Sequence, residues 1–234
     1  MNKLMKVVGA IALVGMMAGC TTSGAADADK VAAWQKTRTP VAVLQSKISV
    51  KAAGAVVEAL DTAPYGIYKS IADKVDKAAV MERSRRIYLG YIGDCKTLEE
   101  QGKSRDEARK TVLEQIKSQP NGAENIAKLQ EYLKIAQETN FDAIQAWITD
   151  MTAQLQTASQ KFAEESPKAV QQLMEIAQKE GGMAIVKIPS QGKDDLAVIG
   201  DQLADSGKGL ALYVEMVNAD KEAAKMQADY PVEG

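Results

Sequence analysis

The chain has 234 residues, with 29 basic and 31 acidic side chains, a formal charge of −2 and no histidine. A mildly acidic chain lacks the clustered basic face that nucleic acid demands. Without histidine, Ser-His-Asp and Cys-His catalysis and imidazole-ligated zinc are excluded. Few glycines and prolines, and few aromatics besides seven tyrosines, favour helix over sheet.

Lys3 and Lys6 open the chain, and Val7 to Gly19 carries no charge before Met17-Ala18-Gly19-Cys20. An apolar run of roughly 13 residues is too short for a permanent span, which needs about 20. A basic flank, a short apolar middle and small residues before a cut site are the physics of a secretory signal. Ala18-Gly19-Cys20 resembles the lipobox of bacterial lipoproteins. The resemblance implies cleavage between Gly19 and Cys20, a diacylglyceryl group on Cys20, and membrane attachment through N-terminal acyl chains. It also implies residence in the cell envelope. Thr21, where Asp would signal retention, resembles export to the periplasmic face of the outer membrane in a Gram-negative host. An uncleaved signal anchor is the rival reading. Cleavage would remove Lys3 and Lys6 and no acid, so the net charge moves from −2 to −4. No polybasic tract would then hold the protein to anionic lipid by charge alone. With Cys20 acylated, Cys95 is left single and no intramolecular disulfide is expected.

The expected organisation is a signal peptide over 1–19, the lipidated cysteine with a tether over 20–29, one helical domain over 30–228, and a frayed tail over 229–234. The tether reaches at most about 30 Å when extended. A first helix is predicted near Asp29, through Trp34, ending before Pro40. Val41 to Leu60 is apolar over a wide face and reads as a largely buried helix, with a strand as its rival because of Val43, Ile48, Val50, Val56 and Val57. Pro64 punctuates. A long helix over Tyr65–Gln101 follows, about 55 Å if unbroken, with a kink or close contact expected at Gly90 or Gly93 and a cap at Gly102.

Ser104 and Glu107 have capping-box spacing and start a short helix that ends before Pro120. Asn121 offers a similar start to a helix whose face is Ile126, Leu129, Leu133 and Ala136. Phe141, Ile144, Ile148, Met151, Leu155, Ala158 and Phe162 then form a heptad seam, capped by Thr139 or Asn140. Ser166-Pro167 is predicted to end that helix and open another carrying Val170, Leu173, Met174 and Ala177. Met183–Ile188 reads as non-helical, an extended connector or half of a small hairpin, buried in the simpler reading and membrane-active in the other. Asp194 or Asp195 begins a further helix, and Gly207 and Gly209 separate it from a last one bearing Leu210, Tyr213, Val214 and Val217. The fold class is all-α: an elongated multi-helix bundle with a long central helix and a heptad-patterned helix.

Arg83, Arg85 and Arg86, followed by Tyr88 and Tyr91, form the densest basic-aromatic group. They are the candidate patch for an anion or a partner, against the plainer reading of a solvated helix face. Cys95 reads as a small buried hydrophobe rather than a reactive thiol. Glu99-Glu100, Glu164-Glu165 and Asp194-Asp195 are adjacent acids, which diverge by about 100° on a helix and do not aim at one bond. The methionines are scattered and read as core filling, and no metal or cofactor is expected. The function expected is a lipid-anchored, non-catalytic binding or scaffolding module. A partner protein or a second copy would meet it through helix 140–165. A helical membrane-inserting protein and a carboxylate-dependent cell-wall enzyme are the alternatives.

Overall fold

The computed structural model describes residues 28–38 and 55–232, with side chains over 30–38 and 64–232 apart from 188, 191 and 195. The signal, the lipobox and the segment 41–54 lie outside the described residues. Among the described residues there are seven helices and no strand: α1 (Ala28–Thr37), α2 (Ala55–Ala79), α3 (Glu82–Glu100), α4 (Arg105–Lys117), α5 (Gly122–Glu138), α6 (Phe141–Glu180) and α7 (Ala184–Met226). The protein is an all-α multi-helix bundle.

The residues group into two compact units. The first takes 32–38, 55–75 and Ala146–Ala211; the second takes 28–31, Asp76–Gln145 and 212–232. In the first, α6 and α7 run side by side in opposite directions, since Leu155 lies by Gly207 and Leu173 by Gly192. Ile148, Met151, Leu155, Ala158 and Phe162 of the heptad seam are buried there, while Phe141 and Ile144 near the start of α6 are half-buried. Trp34 is also buried, and its indole N–H donates to the Asp205 carbonyl at 3.1 Å. Gly209 makes room for this ring. A Cβ there would stand 2.6 Å from Trp34 and 3.0 Å from Ile71.

In the second unit α3, α4 and α5 pack on one another around Tyr88, Ile92, Val112, Leu129 and Leu133. The predicted capping box forms at the start of α4: Ser104 Oγ accepts from the Glu107 N–H, and Glu107 Oε2 accepts from the Ser104 N–H at 3.1 Å. Asn140 Oδ1 accepts from the Ala143 N–H at 3.0 Å and caps α6. Asn121 does not cap α5 through its side chain. It adopts φ +65, and Gly122 follows because a Cβ there would collide with the carbonyls of Ile116 and Lys117.

Several predicted breaks are absent. Pro64 lies inside α2 rather than before a new helix. Pro167 lies inside α6, whose buried stripe runs on through Ser166, Ala169, Leu173 and Ala177. It occupies an exposed position, so the solvent side bears the loss of its N–H donor, while Ser166 Oγ donates to the Phe162 carbonyl on the inner side. Met183–Ile188 is not a buried connector: Gly181 and Gly182, at φ +70 and +57, complete the turn and α7 starts at Ala184. Pro189 then falls early in α7, where the carbonyl it leaves without a donor, that of Ile185, lies at an exposed end. Neither Asp194 nor Gly207 and Gly209 interrupts α7.

The expected helix over Tyr65–Gln101 is two helices. The break is at Val80-Met81, not at Gly90 or Gly93, and no Gly or Pro marks it. Val80 is 79% exposed, Met81 has φ −89 and ψ −1, and the Ala78 carbonyl takes the Met81 N–H at 3.3 Å. The same carbonyl accepts from Arg85 Nη2 at 3.4 Å, so tertiary placement of Arg85 supports the break.

Candidate functional site

The basic-aromatic group at the start of α3 does not share one surface. Arg83 and Arg86 are exposed, whereas Arg85, Tyr88 and Tyr91 are buried in the second unit. Helical spacing explains the division: positions 85, 88, 92 and 95 share a stripe that meets α4 and α5, and 83 and 86 fall off it. Arg85, the side chain expected to grip an outside anion, is 0% exposed.

Its charge is met from inside the protein. Nη1 donates to Glu82 Oε2, and the guanidinium fork holds Asp220 in two bonds, Nε to Oδ1 at 2.8 Å and Nη2 to Oδ2 at 2.9 Å. Tyr132 Oη donates to the same Asp220 Oδ1 at 2.7 Å. α3, α5 and α7 therefore meet at one polar knot inside an apolar core. Burial opposes the arginine's charge, but Asp220 and Glu82 outweigh it and raise the Arg85 pKa further. Glu82 is shifted up because burial outweighs Arg85, and its Oε1 is buried without a hydrogen-bond partner among the described residues.

Next to the knot, buried tyrosines hold the last described residues in the same core. Tyr88 Oη donates to the Tyr230 carbonyl at 3.1 Å, and Tyr91 Oη donates to the Pro231 carbonyl at 3.1 Å. Gln130 Nε2 donates to the Val232 carbonyl at 3.3 Å. Within the tail expected to fray, the described residues 229–232 are seated: Tyr230 is 4% exposed and Val232 is buried. Tyr230 Oη donates to Glu99 Oε1 at 2.9 Å, and Arg105 both pairs with Asp229 at 2.7 Å and stands over the Tyr230 ring at 5.3 Å. Burial, with Cys95 nearby, pushes Tyr91 up to about 12; burial pushes the Cys95 thiol up to about 11.

The remaining candidates separate. Gly19 and Cys20 lie outside the described residues. Glu99 is engaged with Tyr230 and Arg105, and Glu165 with Lys168. Among the described residues no group of three or more His, Cys, Asp or Glu is placed to hold a metal ion. No helix among them is long and apolar enough to cross a membrane. The heptad seam of helix 140–165 is largely turned into its own unit. The large apolar side chains left outside include Met183, just before α7, and Ile185 and Val186 in its first turn, at 75%, 53% and 67% exposure.

Glu82, Asp220 and Tyr132, and the docking of Tyr230, escaped sequence reasoning. Glu82 could have been paired with Arg85 by its three-residue spacing; Asp220, 135 residues away, gave no signal. No family model, curated protein or solved structure matches this chain.

Proposed function

We propose that this protein is a lipid-anchored lipoprotein of the bacterial cell envelope, and that its helical bundle is a non-catalytic binding or scaffolding module. The observation that carries the reading is Ala18-Gly19-Cys20 behind Lys3, Lys6 and an uncharged run. Acyl chains on Cys20 would hold the bundle at the periplasmic face of the outer membrane of a Gram-negative host. Each buried CH₂ contributes about 0.8 kcal/mol, and two or more chains make anchoring stable.

The non-catalytic half of the reading is supported by where the chemistry-bearing side chains are spent. Arg85, Tyr88, Tyr91 and Glu99 hold helices and the tail together. A partner would then meet outward-facing residues of helix 140–165, or the residues that now hold the tail, rather than the buried seam.

The test compares the full chain with Cys20→Ser in a bacterial host. Intact-mass analysis of the native protein is expected to show loss of residues 1–19 and added acyl mass, and crosslinking is expected to recover an envelope protein that the variant loses. An unmodified chain beginning at Met1 in the soluble fraction would overturn the anchor. Recovery of cytoplasmic proteins alone would overturn the scaffold.

A second reading, membrane insertion, is favoured by Met183, Ile185 and Val186. They are exposed at the start of α7, flanked by Lys179 and Lys187, whose stems can lie along apolar surface while the ammonium groups stay wet. Under that reading the protein releases dye from liposomes, and Ile185→Asp with Val186→Asp abolishes release. Equal release by the variant removes it.

A further inference from the structure

We infer that the tyrosine-lined seat of residues 229–232 in the second unit is a peptide-binding site. Those residues are its resident ligand, exchangeable for a segment of the same chemistry (acidic, aromatic, proline, aliphatic) offered by another protein chain. The inference rests on the binding-module half of the proposed function and is independent of the lipid anchor.

The grip on the tail is the grip used on peptides. Three successive carbonyls, of Tyr230, Pro231 and Val232, are each held by a side-chain donor, from Tyr88, Tyr91 and Gln130 respectively. Such donors read backbone oxygens and do not require the segment to be covalently joined to α7. Tyr230 and Val232 are buried while Pro231 between them is only half-buried, so the two flanking side chains are the ones taken into the core. Proline suits the middle position because it has no N–H to leave unpaired and its φ is already fixed, so less freedom is lost on docking.

The flanking contacts supply selectivity. Arg105 holds Asp229 at 2.7 Å and covers the Tyr230 ring, while Glu99 accepts the Tyr230 hydroxyl at 2.9 Å. A segment lacking the acid or the phenol would leave Arg105 or Glu99 without these bonds. Among the described residues, the Asp229 and Tyr230 N–H groups, both donating to the Met226 carbonyl, tie the segment to the end of α7, and Ala228 and Asp229 themselves are exposed. A tail in cis has an effective concentration on the order of mM, so a partner segment competes when tethering raises its own local concentration comparably.

The probe is a fluorescein-labelled synthetic peptide of residues 228–234, read by anisotropy against the detergent-solubilised chain. Three forms are compared: the full chain, the chain stopped after Ala228, and the full-length Tyr230→Ala variant. The full chain is expected to bind the peptide at least ~100-fold more weakly than the stopped chain, because its own tail competes. A peptide carrying Tyr230→Ala is expected to lose at least ~10-fold in affinity for the stopped chain, as truncation of a central aromatic anchor does. If the stopped chain loses its helical ellipticity, the Tyr230→Ala variant takes its place and is expected to bind the wild-type peptide.

Helical chains that ignore the peptide, or bind both peptides alike, overturn the site. Loss of helix in both variants overturns it too, since the tail is then an inseparable part of the core. Neither result touches the acyl mass or the envelope crosslink, so failure of the site and failure of the anchor remain distinguishable.

Discussion

Replacing Arg85 by alanine at pH 7.5 removes two bonds to Asp220, one to Glu82 and one to the Ala78 carbonyl. Breaking a buried ion pair from one side costs about 3–5 kcal/mol, chiefly because the partner charge is left uncompensated. Two features place the expected loss near the lower end, about 3 kcal/mol. Asp220 keeps the Tyr132 hydroxyl and has a side chain 23% exposed, so water can reach it. Glu82 can shed its charge by taking up a proton.

That second route sets the pH dependence. Glu82 already has a folded pKa above its ordinary value because of burial, and Arg85 is the group that holds it down. A raised carboxylate contributes stability that is complete below the unfolded pKa and is lost as pH rises through the folded one. Without Arg85 the folded pKa rises further. The Arg85→Ala deficit is therefore expected to be smaller at pH 5 than at pH 7.5. Urea unfolding followed by helical ellipticity at both pH values gives the two differences.

Arg85→Lys keeps the charge but not the fork, and is expected to lose about 1–2 kcal/mol. In an Asp220→Asn background the cost of Arg85→Ala should fall by at least about 1 kcal/mol, the signature of coupled groups. A deficit below about 1 kcal/mol at pH 7.5 would mean that the knot contributes little beyond a surface pair. A deficit that does not change with pH would refute the role given to Glu82.

Three further outcomes are expected. Gly209→Ala pushes a methyl into Trp34 and Ile71 and should cost about 1–3 kcal/mol with a change in tryptophan fluorescence; an unchanged melt and spectrum refute the close approach. Gln202→Leu should be neutral or stabilising by up to about 2 kcal/mol, because both amide atoms of Gln202 are buried without a partner among the described residues; a clear loss in urea would reveal a hydrogen bond at that site. In a Cys20→Ser background, Cys95 should react with a thiol reagent at pH 8 roughly 100-fold more slowly folded than in urea, as a pKa shifted from 9.0 to about 11 requires. The same upward shift makes its contribution to stability complete below pH 9 and lost as pH climbs toward 11, so Cys95→Ala should flatten the alkaline limb of unfolding.

What could be read from the chain, and what could not, follows the range of each interaction. Ser104 and Glu107 act over three residues, and their capping box is where spacing put it. Ile126, Leu129, Leu133 and Ala136 act over a few turns, and all four are buried. Proline was misread because only its local cost was weighed. The apolar period does not falter at Pro167: Phe162, Ser166, Ala169 and Leu173 keep steps of four, three and four across it, and that continuity was the better signal. A proline on the outer face costs one backbone bond that water can replace, whereas ending the helix would have abandoned a buried stripe.

The arginines of the candidate patch divide for a related reason: Arg83 and Arg86 are exposed and Arg85 is not. Three arginines among tyrosines read as a surface because arginine is rarely buried unless it is paired. The pair that settles Arg85 is Asp220, which becomes its neighbour only once α7 has folded back along α3. Composition registers the charges but not their distances. A one-dimensional pattern therefore reports helices well and polar knots poorly. The burial of Arg85 and the seating of Tyr230 are consequences of packing between segments far apart in the chain, and the break at Val80-Met81 is held by the same arginine bonding a carbonyl seven residues away.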